Sequence, residues 1–272
     1  MTALTIVCFL TGLIHFSETM ASSMRLAGVR TRQVASSLSF VNATLLISRM
    51  SNMFQAPLLG GMVDASVIHN NSDVLVTNFR YIIFAAFIGN LVGAIMIPTF
   101  VAVFTKGIKM FEEVGSLPKV AVMTFYPKNL ASIARSIRLP SKASWKNLSL
   151  KNIPKTFLIL NVLMVSIYSI GVLSSLYAGA LVPAFRTTAS QLSGIVNGMA
   201  TILLVLMVDP TSAHITDQVV KGKRKENDVR VTVFYIVIGR IVGTLIIAQL
   251  LFLPASFYIK DVTLFVKHLF LQ

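Results

Sequence analysis

The fold class that this sequence predicts is all-α: a polytopic membrane protein whose six transmembrane helices form two inverted three-helix repeats. Three observations predict it. The 272 residues are 55% hydrophobic and only 12% charged, whereas a soluble domain carries about 25% charged residues. Six stretches reach the roughly 20 mostly apolar residues that a bilayer crossing needs. Polar residues of the first half also recur in order in the second, with three spans in each copy.

The first span, residues 2–24, begins at the N-terminus. It lacks the basic n-region of a secretory signal peptide, and its polar continuation recurs later in the chain, so it reads as a retained helix. Thr11, His15, Glu18, Ser22 and Arg25 follow steps of three and four and therefore line one face. The second span, residues 34–54, places Ser39, Asn42, Arg49 and Asn52 on one face, with Ser48 and Gln55 adjoining. Pro57, Gly60 and Gly61 follow, and are expected to interrupt the helix and free backbone polar groups. A membrane tolerates such groups only where they face protein or a wet cavity. The third, fourth and fifth spans, residues 81–105, 156–182 and 188–208, are the more apolar ones. The sixth, residues 231–253, carries Arg240 where the first half has Asn90. The domain organisation is then a first repeat over 1–105, a basic connection over 106–155, a second repeat over 156–254 and a C-terminal tail over 255–272.

Charge orients these spans. Lys and Arg number 24 against 10 Asp and Glu, a net charge of +14. Such an excess also suits nucleic acid, but the apolar runs assign it to the membrane instead. The odd-numbered connections hold 18 Lys and Arg and the opposite side holds four, so the positive-inside rule puts the odd connections in the cytoplasm and both termini outside. In the central connection Leu130, Ile133 and Ile137 share a helical face beside Arg135 and Arg138, and Trp145 sits among Lys142, Lys146 and Lys151. That mixture suits a segment lying on an anionic inner leaflet; a plain basic linker between halves explains it equally well.

The repeat is specific because it pairs uncommon residues. Arg80, Phe84, Ile88, Gly89, Val92 and Gly93 recur 150 residues later as Arg230, Phe234, Ile238, Gly239, Val242 and Gly243. Met62-Val63-Asp64 and His69 recur at a displacement of 145 as Met207-Val208-Asp209 and His214, and Ala35-Ser36 at 154 as Ala189-Ser190. Three spans per copy is an odd number, so the second copy enters the membrane from the other side. Inverted repeats of this kind build secondary transporters, with the substrate near the midplane between the halves. A duplicated scaffold without transport is the blander explanation, and the symmetry favours transport.

Charged residues within spans cost roughly 2.5–3.5 kcal/mol each on insertion scales and mark functional sites by default. Glu18 paired with Arg49 or Arg240 would be a structural ion pair, but one acid cannot neutralise several arginines. The surplus suits an anion, and guanidinium bonds phosphate through two parallel hydrogen bonds. A phosphorylated, lipid-linked anion is the expected substrate, bound by Arg25, Arg30, Arg49, Asn52, Gln55 and Arg240. His15 and Glu18 are candidates for coupling a proton or cation gradient, against the simpler pairing of Glu18 with arginine. The Gly89/Gly93 and Gly239/Gly243 pairs let helices approach closely; packing within or between halves is their first use, and a homo-oligomer contact the second. No GxSxG, HExxH, phosphate-binding glycine loop or paired carboxylates within a span is present, and Cys8 is the single cysteine. The chain is therefore expected not to be an enzyme and to carry no cofactor and no metal.

The run Arg25-Leu26-Ala27-Gly28-Val29-Arg30-Thr31, then Ser48-Arg49-Met50-Ser51-Asn52 and Gln55-Ala56-Pro57-Leu58-Leu59-Gly60, resembles the Amj family of bacterial lipid II flippases. The remaining spans, the length and the basic central connection fit as well. The resemblance implies an alternate to MurJ that moves undecaprenyl-pyrophosphate-linked peptidoglycan precursor to the outer face of the cytoplasmic membrane. It supplies no residue list; Arg25, Arg30, Arg49, Asn52 and Gln55 lie within the resembling run, and Arg240 is a candidate on physical grounds alone. In the expected mechanism Arg25, Arg30 and Arg49 meet the pyrophosphate in a cavity open to the cytoplasm. The prenyl tail stays in lipid, and rocking of the halves exposes the site outward. An exporter of another amphipathic anion and a scaffold for envelope enzymes are the rival functions.

Overall fold

The computed structural model describes residues 2–141, 148–149 and 153–271, and among them the chain is helical with no β-strand. Trp145, Lys142, Lys146 and Lys151 lie outside the described residues. The first helix, α1 (Ala3–Ser22), gives way at Ser23 to α2 (Met24–Thr31). The Ser22-Ser23 pair makes this bend: the Ser23 hydroxyl donates to the Met20 carbonyl at 2.7 Å and the Ser22 hydroxyl to Glu18 at 3.4 Å. Serines that bond back into the preceding turn in this way bend helices. Arg32 ends α2 in the left-handed conformation at φ 59, with the Gln33 amide donating to the Gly28 carbonyl at 3.0 Å.

Next come α3 (Val34–Ile68) and α4 (Ser72–Val114), joined by a short turn that holds Asn70 in positive φ. The interruption expected at Pro57, Gly60 and Gly61 does not occur, because α3 runs unbroken through all three. The two glycines have nothing within 4 Å of where a Cβ would stand, so no close approach requires them. Breaks fall instead in the second copy. After α7 (Lys155–Leu181) come a 3₁₀ turn at Pro183–Phe185, then α8 (Arg186–Gln191) and α9 (Ser193–Leu203). A π turn at Leu204–Val208 leads into α10 (Asp209–Val220). The π turn precedes Pro210, whose ring would collide with the carbonyl four residues back; widening the turn relieves the collision. The last pair is α11 (Glu226–Val242) and α12 (Ala248–Leu271), separated by a second π turn at Gly243–Ile247. The described part of the tail, 255–271, continues α12 through Pro254.

Among the described residues, five helical segments are long and apolar enough to cross a membrane: Ala3–Thr31, Ser72–Val114, Lys155–Leu181, Pro183–Val220 and Glu226–Leu271. At 35 residues α3 has the length as well, and Asn42, Arg49, Asn52 and its serines keep it out of that set. The 43 residues of α4 span about 64 Å at 1.5 Å each, twice the hydrocarbon thickness. Its end therefore projects toward the central connection, where α5 (Leu117–Thr124) and α6 (Pro127–Ala134) are short. Leu130 and Ile133 lie in α6, whereas Ile137 falls beyond its end and is exposed. Lys106 holds the segment to α4 by donating to the Ser132 carbonyl at 2.9 Å and the Ser136 hydroxyl at 2.7 Å.

Two apolar clusters lie toward opposite ends of the helices. One gathers Val7 of α1, Leu59 and Val63 of α3, Phe79 of α4, Leu173 and Tyr177 of α7 and Phe252 of α12. The other gathers Leu26 and Val29 of α2, Val101 of α4, Ile215 of α10 and Val233 and Val237 of α11. Both glycine pairs face the first long helix of their own copy. A Cβ on Gly89 would overlap the Gly12 carbonyl and one on Gly93 would crowd Thr19; on Gly239 and Gly243 it would meet Asn161 and Ser166.

Candidate functional site

Where α1, α3 and α11 converge, polar residues on steps of three and four come to face each other. The Glu18 carboxylate accepts from Arg240 Nη1 at 2.8 Å and from the Ser48 hydroxyl at 3.3 Å. Only 11% of the Glu18 side chain and 15% of Arg240 is exposed. Arg240 Nε is buried without a partner among the described residues, so this guanidinium keeps a donor to spare. Asn90, fully buried on α4, ties the neighbourhood together. Its Oδ1 accepts from Thr19 at 2.7 Å, and its Nδ2 lies 3.3 Å from Thr244 Oγ1 and 3.5 Å from the Arg240 carbonyl and His15 Nδ1. The two repeat mates, Asn90 and Arg240, thus meet across the two copies.

Beside this core is a cavity of about 110 Å³, walled by α1, α3 and α4 from the first copy and α7 and α9 from the second. Thr11, His15, Ser48, Arg49, Asn52, Gln55, Tyr168, Ser169 and Asn197 supply its polar lining. Arg49 and Asn52 are exposed at its mouth while Ser48 and Gln55 are buried. Thr11 donates to Gln55 Oε1 at 2.9 Å, which leaves the amide nitrogen of Gln55 to donate elsewhere. Asn197 Oδ1 is buried without a partner among the described residues. Small-ligand sites occupy roughly 300–1,000 Å³, so a pocket of 110 Å³ holds a phosphate-sized group and not a glycopeptide. Nothing larger fits this cavity as it stands.

The structure thus brings Arg49, Asn52, Gln55 and His15 to one cavity and pairs Glu18 with Arg240 next to it, through Ser48. Arg25 and Arg30 lie apart from that cavity. Arg25 donates to Asp209 at 2.7 Å and Arg30 to Glu226 at 2.8 Å. Asn90, Asp209, Tyr168 and Asn197 were not singled out by sequence; the repeat marks Asn90 as the mate of Arg240 and Asp209 as the mate of Asp64, and nothing marks the other two. A fourth ion pair, Arg186 to Asp64 at 3.0 Å, stands near the other end of the helices. All four pairs join the first copy to the second. They are also arranged alike: the mates Asp64 and Asp209 each reach an arginine that follows the first long helix of the opposite copy. Among the described residues no three His, Cys, Asp or Glu side chains gather into a metal site.

The family model described as "Alternate to MurJ" matches residues 10–263. The chain is 41% identical over 259 residues to a protein of Bacillus subtilis (strain 168) named Lipid II flippase Amj, covering 95% of each sequence. No solved structure gives a significant match.

Proposed function

This chain belongs to the Amj family, and from that premise we propose that it is a lipid II flippase of the bacterial cytoplasmic membrane, working by alternating access between two inverted three-helix halves. Its identity of 41% over nearly the whole length with a relative of that name carries the activity.

The geometry supports the six-span arrangement in two ways. From Val7 to Leu26, on to Leu59, from Phe79 to Val101, on to Leu173, then to Ile215, and from Val233 to Phe252, the chain passes six times between the two end clusters. The polar α3 makes one of these traverses, as a helix lining a wet interior would. The repeat mates Asn90 and Arg240 touch, and residues meet their own mates only near a two-fold axis. Arg25 and Arg30, with their partners, lie toward the basic connections, the cytoplasmic side under the positive-inside rule; Asp64 and Arg186 then lie outside, as do both termini. Residues 1–105 and 156–254 are the two halves, and 106–155 the cytoplasmic connection.

On this reading the precursor's pyrophosphate is received between the halves by Arg49, Asn52 and Gln55. Arg240, with its spare Nε, reaches the same anion once the halves part. The ion pairs at the two ends act as alternate latches. Arg25–Asp209 and Arg30–Glu226 open for loading, and Asp64–Arg186 opens for release. Their side chains are 26–54% exposed, and exposed pairs are worth about 0–1 kcal/mol, so either latch yields at little cost. Glu18 holds Arg240 in the absence of substrate; a role for Glu18 and His15 in gradient coupling is tested by Glu18→Gln, which should abolish any dependence of flipping on proton gradient.

The deciding experiment depletes cells of their own lipid II flippase and follows lipid II accessibility at the outer surface. Wild-type chain should restore it. Arg49→Ala should not, while inserting normally. Failure of the wild type would leave an exporter of another amphipathic anion or a scaffold as the function, and full activity of Arg49→Ala would remove that residue from the site.

A further inference from the structure

A groove of about 460 Å³, larger than the central cavity, lies between α4 and α11, on the seam between the two copies. Its size falls within the roughly 300–1,000 Å³ of small-ligand sites. One wall is a row of α4 side chains that includes Leu91, Ile95 and Pro98; the other is a row of α11 side chains that includes Phe234, Ile238 and Ile241. The charged residues that line it are three arginines, Arg30, Arg138 and Arg230. They stand at the end nearest Thr99 and Val101, the side of the basic connections. Arg138 is fixed there by its backbone, whose N–H donates to Thr99 Oγ1 at 2.9 Å while its carbonyl accepts from the same hydroxyl at 3.0 Å.

We propose that this groove captures the polyprenyl pyrophosphate portion of the substrate from the cytoplasmic leaflet, before the head group enters between the halves; the proposal rests on the flippase function above. Arg138, with Arg230 beside it and Arg30 once it leaves Glu226, matches a doubly charged anion that accepts paired hydrogen bonds. The two facing apolar rows, with arginines at one end only, suit a lipid whose anionic group ends an apolar chain, as in a prenyl pyrophosphate. The apolar end leads to the centre: Leu91 and Ile241 follow directly on Asn90 and Arg240, the pair beside Glu18. A tail lying here brings its pyrophosphate to the mouth that Arg25 and Arg30 latch.

The test uses the full chain in nanodiscs of phosphatidylethanolamine and phosphatidylglycerol, with benzophenone-tagged geranylgeranyl pyrophosphate as probe. Photolabel is expected on residues 91–101 and 233–241. Arg138→Ala, an exposed position, should weaken labelling about tenfold, the size of one lost charged hydrogen bond, with Arg138→Lys recovering part of it. Ile238→Trp, which fills the groove, should remove it. Labelling elsewhere, or complete competition by added phosphatidylglycerol, would overturn the assignment. Lipid II accessibility measured on the same variants separates the two ideas. If the wild type labels in the groove but does not flip lipid II, the flippase reading fails alone. If the wild type flips and Ile238→Trp flips equally well, the groove fails alone.

Discussion

Replacing Arg240 by Ala removes the partner of a carboxylate that is almost wholly buried. Glu18 would be left with the Ser48 hydroxyl at 3.3 Å as its hydrogen-bond donor, in place of a guanidinium at 2.8 Å. Breaking a buried pair from one side costs about 3–5 kcal/mol, because a charge is stranded; the same change at an exposed pair costs about 0–1 kcal/mol. The side-chain exposures of 11% and 15% put this pair in the first class. Arg240→Ala and Glu18→Leu should each therefore cost several kcal/mol, read from resistance to denaturant in detergent. The double variant Glu18→Leu with Arg240→Met should regain most of that loss, since apolar groups of similar volume replace a buried pair at little net cost. Flipping measured on the stable double variant then isolates function. Lost flipping with recovered stability means that the charges serve transport, while recovery of both means that the pair only holds the halves together. A cost below about 1 kcal/mol for Arg240→Ala would refute the argument, because the pair would then have to be solvated.

Asp64→Cys combined with Arg186→Cys should trap the outer latch when bridged by a bifunctional methanethiosulfonate that spans the arginine's reach, stopping flipping until a reductant is added; flipping that continues through a formed crosslink would exclude opening at that end. Gly89→Val should prevent accumulation of folded protein, because a side chain there overlaps the Gly12 carbonyl, whereas Gly60→Ala and Gly61→Ala face open space and should be neutral or stabilising by up to about 1 kcal/mol each. The yield of folded Gly89→Val, and melting curves of purified Gly60→Ala and Gly61→Ala, check these.

The apolar spans are legible because crossing a bilayer imposes one composition over twenty residues, and α4 and α7 announce themselves that way. The course of α3 is not, because the signals conflict. Pro57, Gly60 and Gly61 look like a break, yet a proline costs a helix one hydrogen bond and a local clash, which a helix braced on its neighbours absorbs. The break that does occur, ahead of Asp209-Pro210, follows the same chemistry at a site where widening the turn also brings Asp209 to Arg25. Glu18 and Arg240 were each visible as costly intramembrane charges, and their pairing was one of two alternatives. The choice of Arg240 over Arg49 depends on how α11 crosses α1, a distance of 222 residues along the chain, and no local pattern encodes that. The partners of Arg25 and Arg30 were hidden for the same reason, so both looked available to an anion when each has a carboxylate.

That correction bears on how an anion could drive the cycle. If Arg25 and Arg30 stood free, a pyrophosphate would bind them without opening anything, and binding would not be linked to motion. With Asp209 and Glu226 in place, a pyrophosphate arriving as proposed would have to take guanidiniums from carboxylates of the opposite half, and each exchange would untie the halves at the end where the ligand enters. A ligand shifts a conformational equilibrium only by its differential affinity for the two states. In the proposed cycle, exchange of ion-pair partners would supply that difference: an open state would offer free guanidiniums that the closed state does not. The same exchange at Arg240, freed from Glu18, would carry the anion past the centre, where the cost of separating the charges is greatest and the ligand's own charge is most needed to offset it.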